Sequence, residues 1–385
     1  MMLVIEIVFW LSLAVLLYTY FGYPLLLMGC HFVCRRRASE PDETYRPSIS
    51  IVLAAYNEAD CIRRKLDNCL ALDYPAEKLQ ILVGSDGSDD GTNEIVLEYR
   101  DRGVELLAFH PRRGKMATVN RIVQQASGEI CVFSDISEVF EPDVPLQLVR
   151  HFADPQIGAV TGNHIYNKEK SGIGAGTSFY WKLIRFLQAV ESRLHTVCAC
   201  DGTIYACRRE LFPFPPDNTI NDDVAVPLGI ISRRGKRVIF EPKAIARGDV
   251  LQETRRFFRQ KIRGQAGKYQ VFGLFPKMFV PWPPSRALVF LSHTVLPVLV
   301  PWFLVLVLAT NIFLWFSGQW YYQGLLILQG SFYLLALAGC LAEKFRVYAP
   351  LAAIPFYFVT ANLGSLCGFF AYVGGVQKAA WRKVE

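Results

Sequence analysis

Hydrophobic positions along the chain follow two regimes: unbroken runs at both ends, and short runs separated by polar, helix-period stretches in the middle. Residues 3–28 carry one charge, Glu6, and are long enough to cross ~30 Å of hydrocarbon. Residues 288–316, 320–341 and 349–376 contain no Asp, Glu, Lys or Arg. All four are expected to be transmembrane helices. The first is too long and too aromatic for a secretory leader and lacks a small-x-small site after it, so a retained anchor is expected. Arg35-Arg36-Arg37 follows as a positive stop that places the next segment in the cytoplasm. Glu343, Lys344 and Arg346 fit a cytoplasmic loop between the last two spans. Four crossings leave the C-terminus outside, where Lys378, Arg382 and Lys383 oppose the charge rule. Either the last span is re-entrant or the first is not a simple crossing.

Between residues 47 and 135 the pattern alternates strand and helix. Residues 48–54, 80–84, 104–109 and 129–134 are short apolar runs, and polar helical stretches near 57–71, 89–99 and 115–126 separate them. Asn57 is placed to cap the first of these helices. Such alternation predicts a mostly parallel, Rossmann-like sheet covered on both faces. After Asp135 the chain reads as irregular, with turns at Pro142, Pro145, Pro155 and 213–216. The expected organisation is an anchor at 1–34, a cytosolic α/β domain at 35–252, an amphipathic interfacial segment at 253–286, three C-terminal transmembrane helices at 287–377 and a basic tail at 378–385.

Composition sharpens this picture only modestly. Of 385 residues 52% are hydrophobic, more than a soluble chain of this length carries. The net charge of +7 gathers near the predicted membrane borders, where anionic lipid headgroups attract it, and no basic stripe interleaved with aromatics marks a nucleic-acid partner. The ten cysteines show no framework, and His195-x2-Cys198-x-Cys200 fits no usual zinc spacing, so buried thiols on a strand are expected.

Ligands of open α/β sheets sit beyond the carboxyl ends of the strands, and Asp86 and Asp135 fall there. Asp86, in Gly84-Ser-Asp-Gly-Ser-Asp-Asp-Gly91, suits a base or ribose; a turn role is equally open. Asp135 could bind a hard divalent cation on a diphosphate or cap a helix. Arg112-Arg113-Gly114-Lys115 precedes a helix and could face a diphosphate. Asp222-Asp223 could supply a general base or merely cap a helix. There is no Walker P-loop, and Gly172-x-Gly174-x-Gly176 reads as a flexible loop rather than a dinucleotide fingerprint. Residues 253–272 are basic, aromatic and amphipathic, as expected of a helix in the membrane interface.

Together these motifs resemble the membrane-bound family 2 glycosyltransferases. Ile51-Val-Leu-Ala-Ala-Tyr-Asn-Glu58 is similar to the family's opening strand, and Ser85-Asp-Gly-Ser-Asp-Asp-Gly-Thr92 to its nucleotide-binding turn. Arg113-Gly-Lys-Met-Ala-Thr-Val-Asn120 is similar to its Gly-Lys helix start, Gly202-Thr-Ile-Tyr-Ala-Cys-Arg-Arg209 to the strand before its acceptor site, and Thr219-Ile-Asn-Asp-Asp223 to its Thr-Glu-Asp. The resemblance implies a GT-A fold and an inverting displacement using Mn2+ or Mg2+. Tyr56, Glu58, Asp86, Lys115 and Asp135 would hold the nucleotide and diphosphate, with Asp135 and Ser137 at the metal. Asp223 would be the base with Asp222 beside it, and Gln260 and Arg263 would meet the diphosphate or acceptor. Two departures stand out: the metal motif Asp-x-Asp reads Asp135-Ile-Ser137, and Gln-x-x-Arg-Trp reads Gln260-Lys-Ile-Arg263-Gly264. The missing aromatic platform argues against processive synthesis. The expectation is a multi-pass plasma-membrane enzyme, alone or with a partner subunit or second copy. It moves a sugar, uridine nucleotides being the expected donors, to a lipid-linked or glycan acceptor. A processive synthase and a non-catalytic scaffold are the alternatives; spans without paired charges argue against a transporter.

Overall fold

The computed structural model describes residues 1–33, 41–166, 172–248, 254–280, 283–345, 347 and 349–376. The Arg35-Arg36-Arg37 cluster and the basic tail at 378–385 lie outside the described residues.

The chain opens with α1 (Met2–Leu17) and α2 (Tyr23–Val33), joined by a π-helical turn, Tyr18–Gly22. An α/β unit follows: β1 (Ile49–Ala55), α3 (Ala59–Leu70), β2 (Leu79–Asp86), α4 (Thr92–Leu97), β3 (Val104–Phe109), α5 (Lys115–Gln125) and β4 (Ile130–Ser134). Strands β3, β2, β1 and β4 pair in parallel in that order. Their β-branched residues alternate between two cores. Ile49, Ile51 and Leu53 of β1 join Ile62 and Leu66 of α3 on one face, while Val52 joins Met116, Val119 and Ile122 of α5 on the other. Burial on both faces is the reason these strands read as continuous apolar runs. Helix α5 crosses β2 closely: a Cβ on Gly84 would lie 2.6 Å from Ile122 Cδ1.

The region after Asp135 is more regular than expected. It contains β5 (Val139–Phe140), α6 (Val144–Val149), β6 (Ile157–Tyr166), α7 (Gly172–Leu194), β7 (Ile204–Arg208), α8 (Asp222–Arg234) and β8 (Arg237–Gly248). These strands complete one eight-stranded sheet, ordered β3-β2-β1-β4-β7-β6-β8-β5, in which β7 runs antiparallel to β4 and β6. The Gly172–Gly176 segment, expected to be a loop, opens α7; Leu183, Leu187, Val190 and Leu194 of that helix pack at helical spacing on Tyr23 and Leu27. Cys198 and Cys200 are buried in the connection between α7 and β7, and of the three neighbouring thiols Cys207 alone is on a strand. Asn57 does not cap α3. Glu58 takes that position, and Asn57 adopts a positive φ of 55° while its amide bonds Asp89 at 2.8 Å.

Beyond the sheet come α9 (Thr254–Leu274), α10 (Pro284–Val289), a second π-helical stretch Phe290–Val295, α11 (Leu296–Trp315), α12 (Trp320–Lys344) and α13 (Pro350–Val373). Among the described residues four helical stretches, Met2–His31, Pro284–Trp315, Trp320–Lys344 and Pro350–Val373, are long and apolar enough to cross a membrane. The two π-helical segments meet where Tyr18 Oη and Ser292 Oγ lie 2.8 Å apart. At the same place the domain joins the spans: buried Glu191 of α7 accepts a 2.6 Å hydrogen bond from Tyr23 and lies 2.7 Å from His293 Nδ1. The basic helix α9 packs along α13, from the Phe257–Tyr357 ring pair (5.2 Å) to Tyr269–Tyr372 (6.0 Å). Small residues permit this approach: a Cβ on Gly368 would fall 2.6 Å from Gln265 Cβ.

Candidate active site

The cleft lies beyond the carboxyl ends of β2, β1 and β4. Asp86 ends β2, is almost wholly buried, and accepts backbone hydrogen bonds from Arg113 and Gly114 at 2.8 Å each. It therefore ties the β2 end to the start of α5, a turn that Gly114 makes at φ 104°. Arg112 stacks over the Tyr56 ring at 3.3 Å and its Nε lies 3.7 Å from Asp86. Tyr56 and Asp86 thus meet at one corner, the ring covered by Arg112 and both carboxylate oxygens engaged by the turn, the structural role that the Asp-Gly-Ser sequence left open.

Asp135 follows β4 and faces the cleft. Lys115, the first residue of α5, donates to Asp135 Oδ1 at 2.8 Å and approaches Asp222 Oδ2 at 3.4 Å. Burial works against this ammonium, but the carboxylates outweigh it and raise its pKa. Asp222 and Asp223 are the first two residues of α8, with Asn221 as its cap. Burial and the neighbouring Asp222 push the Asp223 carboxyl up to about 7, against the pull of Lys115 and Lys268. A base in that range can accept a proton near neutrality.

The sequence-predicted residues divide into two groups. Tyr56 and Asp86 come together at one corner of the cleft, and Lys115, Asp135, Asp222 and Asp223 at the other. Glu58 stands at the start of α3, where its backbone N–H bonds Thr92 Oγ1 at 2.8 Å. Gln260 is exposed on α9, and Arg263 on the same helix is half-buried, its Nε without a hydrogen-bond partner among the described residues. The α9 charge that acts on Asp223 belongs to Lys268. Ser137 is exposed and its hydroxyl donates to Glu138 at 3.0 Å.

Three further residues emerge only in the fold. Lys65 of α3 is fully buried and its ammonium donates to Ser134 Oγ at 2.6 Å and the Glu138 carbonyl at 2.9 Å, fixing the loop that carries Asp135. His164 of β6 meets Glu138 at 2.8 Å; burial lowers its pKa, but this bond and Asp201 outweigh that and raise it. Asp201, in the turn before β7, is raised by burial and drawn down by His164. An Asp-Gly-Thr turn was the signal for Asp201; nothing in the sequence marked Lys65 or His164.

Among the described residues no group of three or more His, Cys, Asp or Glu side chains could hold a metal ion. The residues fit instead a cation shared with a substrate: Asp135 gives one oxygen to Lys115, and its Oδ2 has no hydrogen-bond partner among the described residues. A hard cation takes oxygen ligands, and a diphosphate supplies the others.

Residues 50–213 match the family model described as glycosyl transferase family 2. The chain carries a family 2 glycosyltransferase domain. The poly-beta-1,6-N-acetyl-D-glucosamine synthase of Staphylococcus aureus (strain MSSA476) is 28% identical to this glycosyltransferase over 229 residues, covering 58% of this chain and 55% of that one. Its Staphylococcus epidermidis counterpart is 26% identical over the same length. The chain thus spans about half the length of the curated relatives it matches, 55% in each case. Among solved structures, the mannosyltransferase PcManGT from Pyrobaculum calidifontis, in complex with GDP-Man and Mn2+, superposes with a TM-score of 0.70 at 25% identity. That likeness covers 93% of this chain and 99% of the neighbour, including the flanking helices, and identifies the fold as GT-A.

Proposed function

We propose that this glycosyltransferase moves one sugar from a nucleotide-sugar to a lipid-linked or membrane-proximal acceptor, with inversion, at the cytoplasmic face of the plasma membrane. The observation that carries the reading is Asp223, a carboxyl raised into the neutral range by burial and Asp222 and set beside Lys115, which itself pairs with Asp135. In this reading Asp223 takes the proton of an acceptor hydroxyl while that oxygen attacks the anomeric carbon. The bond from that carbon to the diphosphate oxygen breaks, and the nucleoside diphosphate leaves. Tyr56, Glu58 and Asp86 hold the nucleoside, Asp222 keeps Lys115 beside the diphosphate, and Gln260 and Arg263 lie along the exit of the leaving group. A Mn2+ or Mg2+ held by Asp135, with Ser137 at its edge, would offset charge on the diphosphate oxygens.

The likeness to PcManGT, a mannosyltransferase matched over 93% of this chain and 99% of its own length, supports single transfer. It also widens the expected donors from uridine to guanosine nucleotides, since that neighbour was solved with GDP-Man. The second reading, a processive synthase, rests on the relatives' name and is separated by product size. Purified protein with Mn2+ and a membrane lipid extract is expected to release nucleoside diphosphate from one of a panel of UDP- and GDP-sugars. Absence of release from every donor, or full activity in Asp223→Asn, overturns the proposal.

A further inference from the structure

The turn Cys200–Thr203 is pinned from three sides. The Cys200 N–H donates to the Asp223 carbonyl at 2.8 Å, and the Asp201 N–H donates to Thr161 Oγ1 of β6 at 2.7 Å. Gly202 packs directly on the base, where an added Cβ would sit 3.3 Å from Asp223 Cβ. Asp201 is therefore held at a fixed offset from Asp223. Its electrostatic neighbours are His164 and Asp135.

The simplest role for such a residue is to shape its own turn, and one oxygen does this. Oδ1 accepts from the Thr203 N–H at 3.0 Å and from Thr203 Oγ1 at 2.6 Å. The other, Oδ2, has no hydrogen-bond partner among the described residues, and the side chain is only half-buried. A turn needs one acceptor. The second is a carboxylate oxygen left over, one residue from Gly202, which packs on Asp223, and His164 favours its charge. A carboxylate in that position recognises the hydroxyl groups of a sugar, as a strong acceptor of charge-assisted hydrogen bonds. Asp135, Asp222 and Asp223 share the cleft, so an acidic sugar would be repelled there.

Resting on the transferase reading above, we propose that Asp201 forms an acceptor-sugar subsite that takes an uncharged or amino-bearing sugar through a hydroxyl next to the one that reacts. Asp201 fixes which hydroxyl faces Asp223, and so helps to determine linkage.

The full-length protein, with Mn2+ and the donor it turns over, gives two readouts: hydrolysis of the donor to water, and transfer into a membrane lipid extract. In Asp201→Asn, which keeps Oδ1 for the turn, transfer at limiting extract should fall about 10- to 100-fold, the loss of one charge-assisted hydrogen bond. Donor hydrolysis should fall by a much smaller factor than transfer, because among the described residues Asp201 makes no hydrogen bond to Tyr56, Asp86 or Lys115. Thr203→Val, which removes a partner of the turn but not Asp201 Oδ2, should retain transfer. The proposal is overturned if Asp201→Asn lowers hydrolysis and transfer by the same factor, if it lowers neither, or if Thr203→Val reproduces its defect. Failure of the wild type to release nucleotide from any donor would instead remove the transferase reading itself.

Discussion

Replacing Asp222 by Asn should move the acid limb of the pH–rate profile downward. Asp223 is pushed up to about 7, first by burial and then by the negative charge of Asp222. As a general base it must be deprotonated, so kcat/KM of the wild type should climb tenfold per unit at low pH and level off near 7. The Asn variant removes the adjacent charge and leaves the burial. Two charges a helical step apart interact by roughly 2 kcal/mol at an effective dielectric of ~20. Even half of that moves the midpoint by nearly one unit, since one unit corresponds to about 1.4 kcal/mol. With the midpoint near 6 rather than 7, the variant at pH 6 would run at about half of its own plateau, against about a tenth for the wild type. Normalised in this way, the ratio is about fivefold. Loss of the Lys115 contact will lower the plateau, and the normalisation removes that effect. The assay is nucleoside diphosphate release at limiting donor with saturating Mn2+, from pH 5 to 9. An acid limb that stays in place or moves upward would refute the assignment of Asp223 as the base and of Asp222 as its perturbing neighbour.

Four further outcomes follow from the same geometry. Folded-state pKa values above the unfolded ones at His164, Asp201 and Asp223 mean that all three favour the protonated fold, so their contribution is lost as pH rises; the ligand-free protein should melt at lower temperature at pH 8 than at pH 6. Glu241, held down to about 2 by His151 and Arg150 against its burial, acts in the opposite sense, and its contribution should disappear only as pH falls from about 4.5 through 2. Lys65→Met keeps the aliphatic stem but strands Ser134 Oγ and the Glu138 carbonyl, and should cost about 1–3 kcal/mol in denaturation while weakening Mn2+-dependent nucleotide binding; unchanged affinity would show that the Asp135 loop does not need this prop. Gly368→Leu should separate α9 from α13 and lower the thermal midpoint in detergent, whereas a variant as stable as wild type would mean that the two helices do not depend on their close approach.

The elements that were legible in the sequence share one property: their burial is decided by neighbours in the chain. Strands β1 to β4 are short β-branched runs ending in turn residues, and the spans are long uncharged ones, so pattern alone located them. The half-sheet after Asp135 was missed because β6 interrupts its apolar run with Gly158, Gly162 and His164. Those glycines are there for close packing: a Cβ on Gly162 would lie 2.6 Å from Ile204 Cδ1, a contact between residues far apart in sequence. The site divides in the same way. Asp86 and Asp135 were visible because strand ends are where ligands bind in this class of sheet. Lys65, His164 and Asp201 act through partners 26 to 73 residues distant, and no local spacing announces such pairs.

The join between α8 and α9 has a consequence for how the enzyme can be handled. Asn221, which caps α8, donates to the Gly264 carbonyl at 2.8 Å, and its amide fills the space where a Cβ of Gly267 would lie. Helix α9 is in turn seated along α13. The register of Asp222 and Asp223 is thus inherited from a helix outside the α/β sheet, one braced against an apolar neighbour. Cutting the chain after β8 to obtain a soluble fragment would spare the nucleotide corner and leave the base without its abutment. Bilayer thickness or tension, by shifting α13, would then have a mechanical route to the carboxylate proposed as the base.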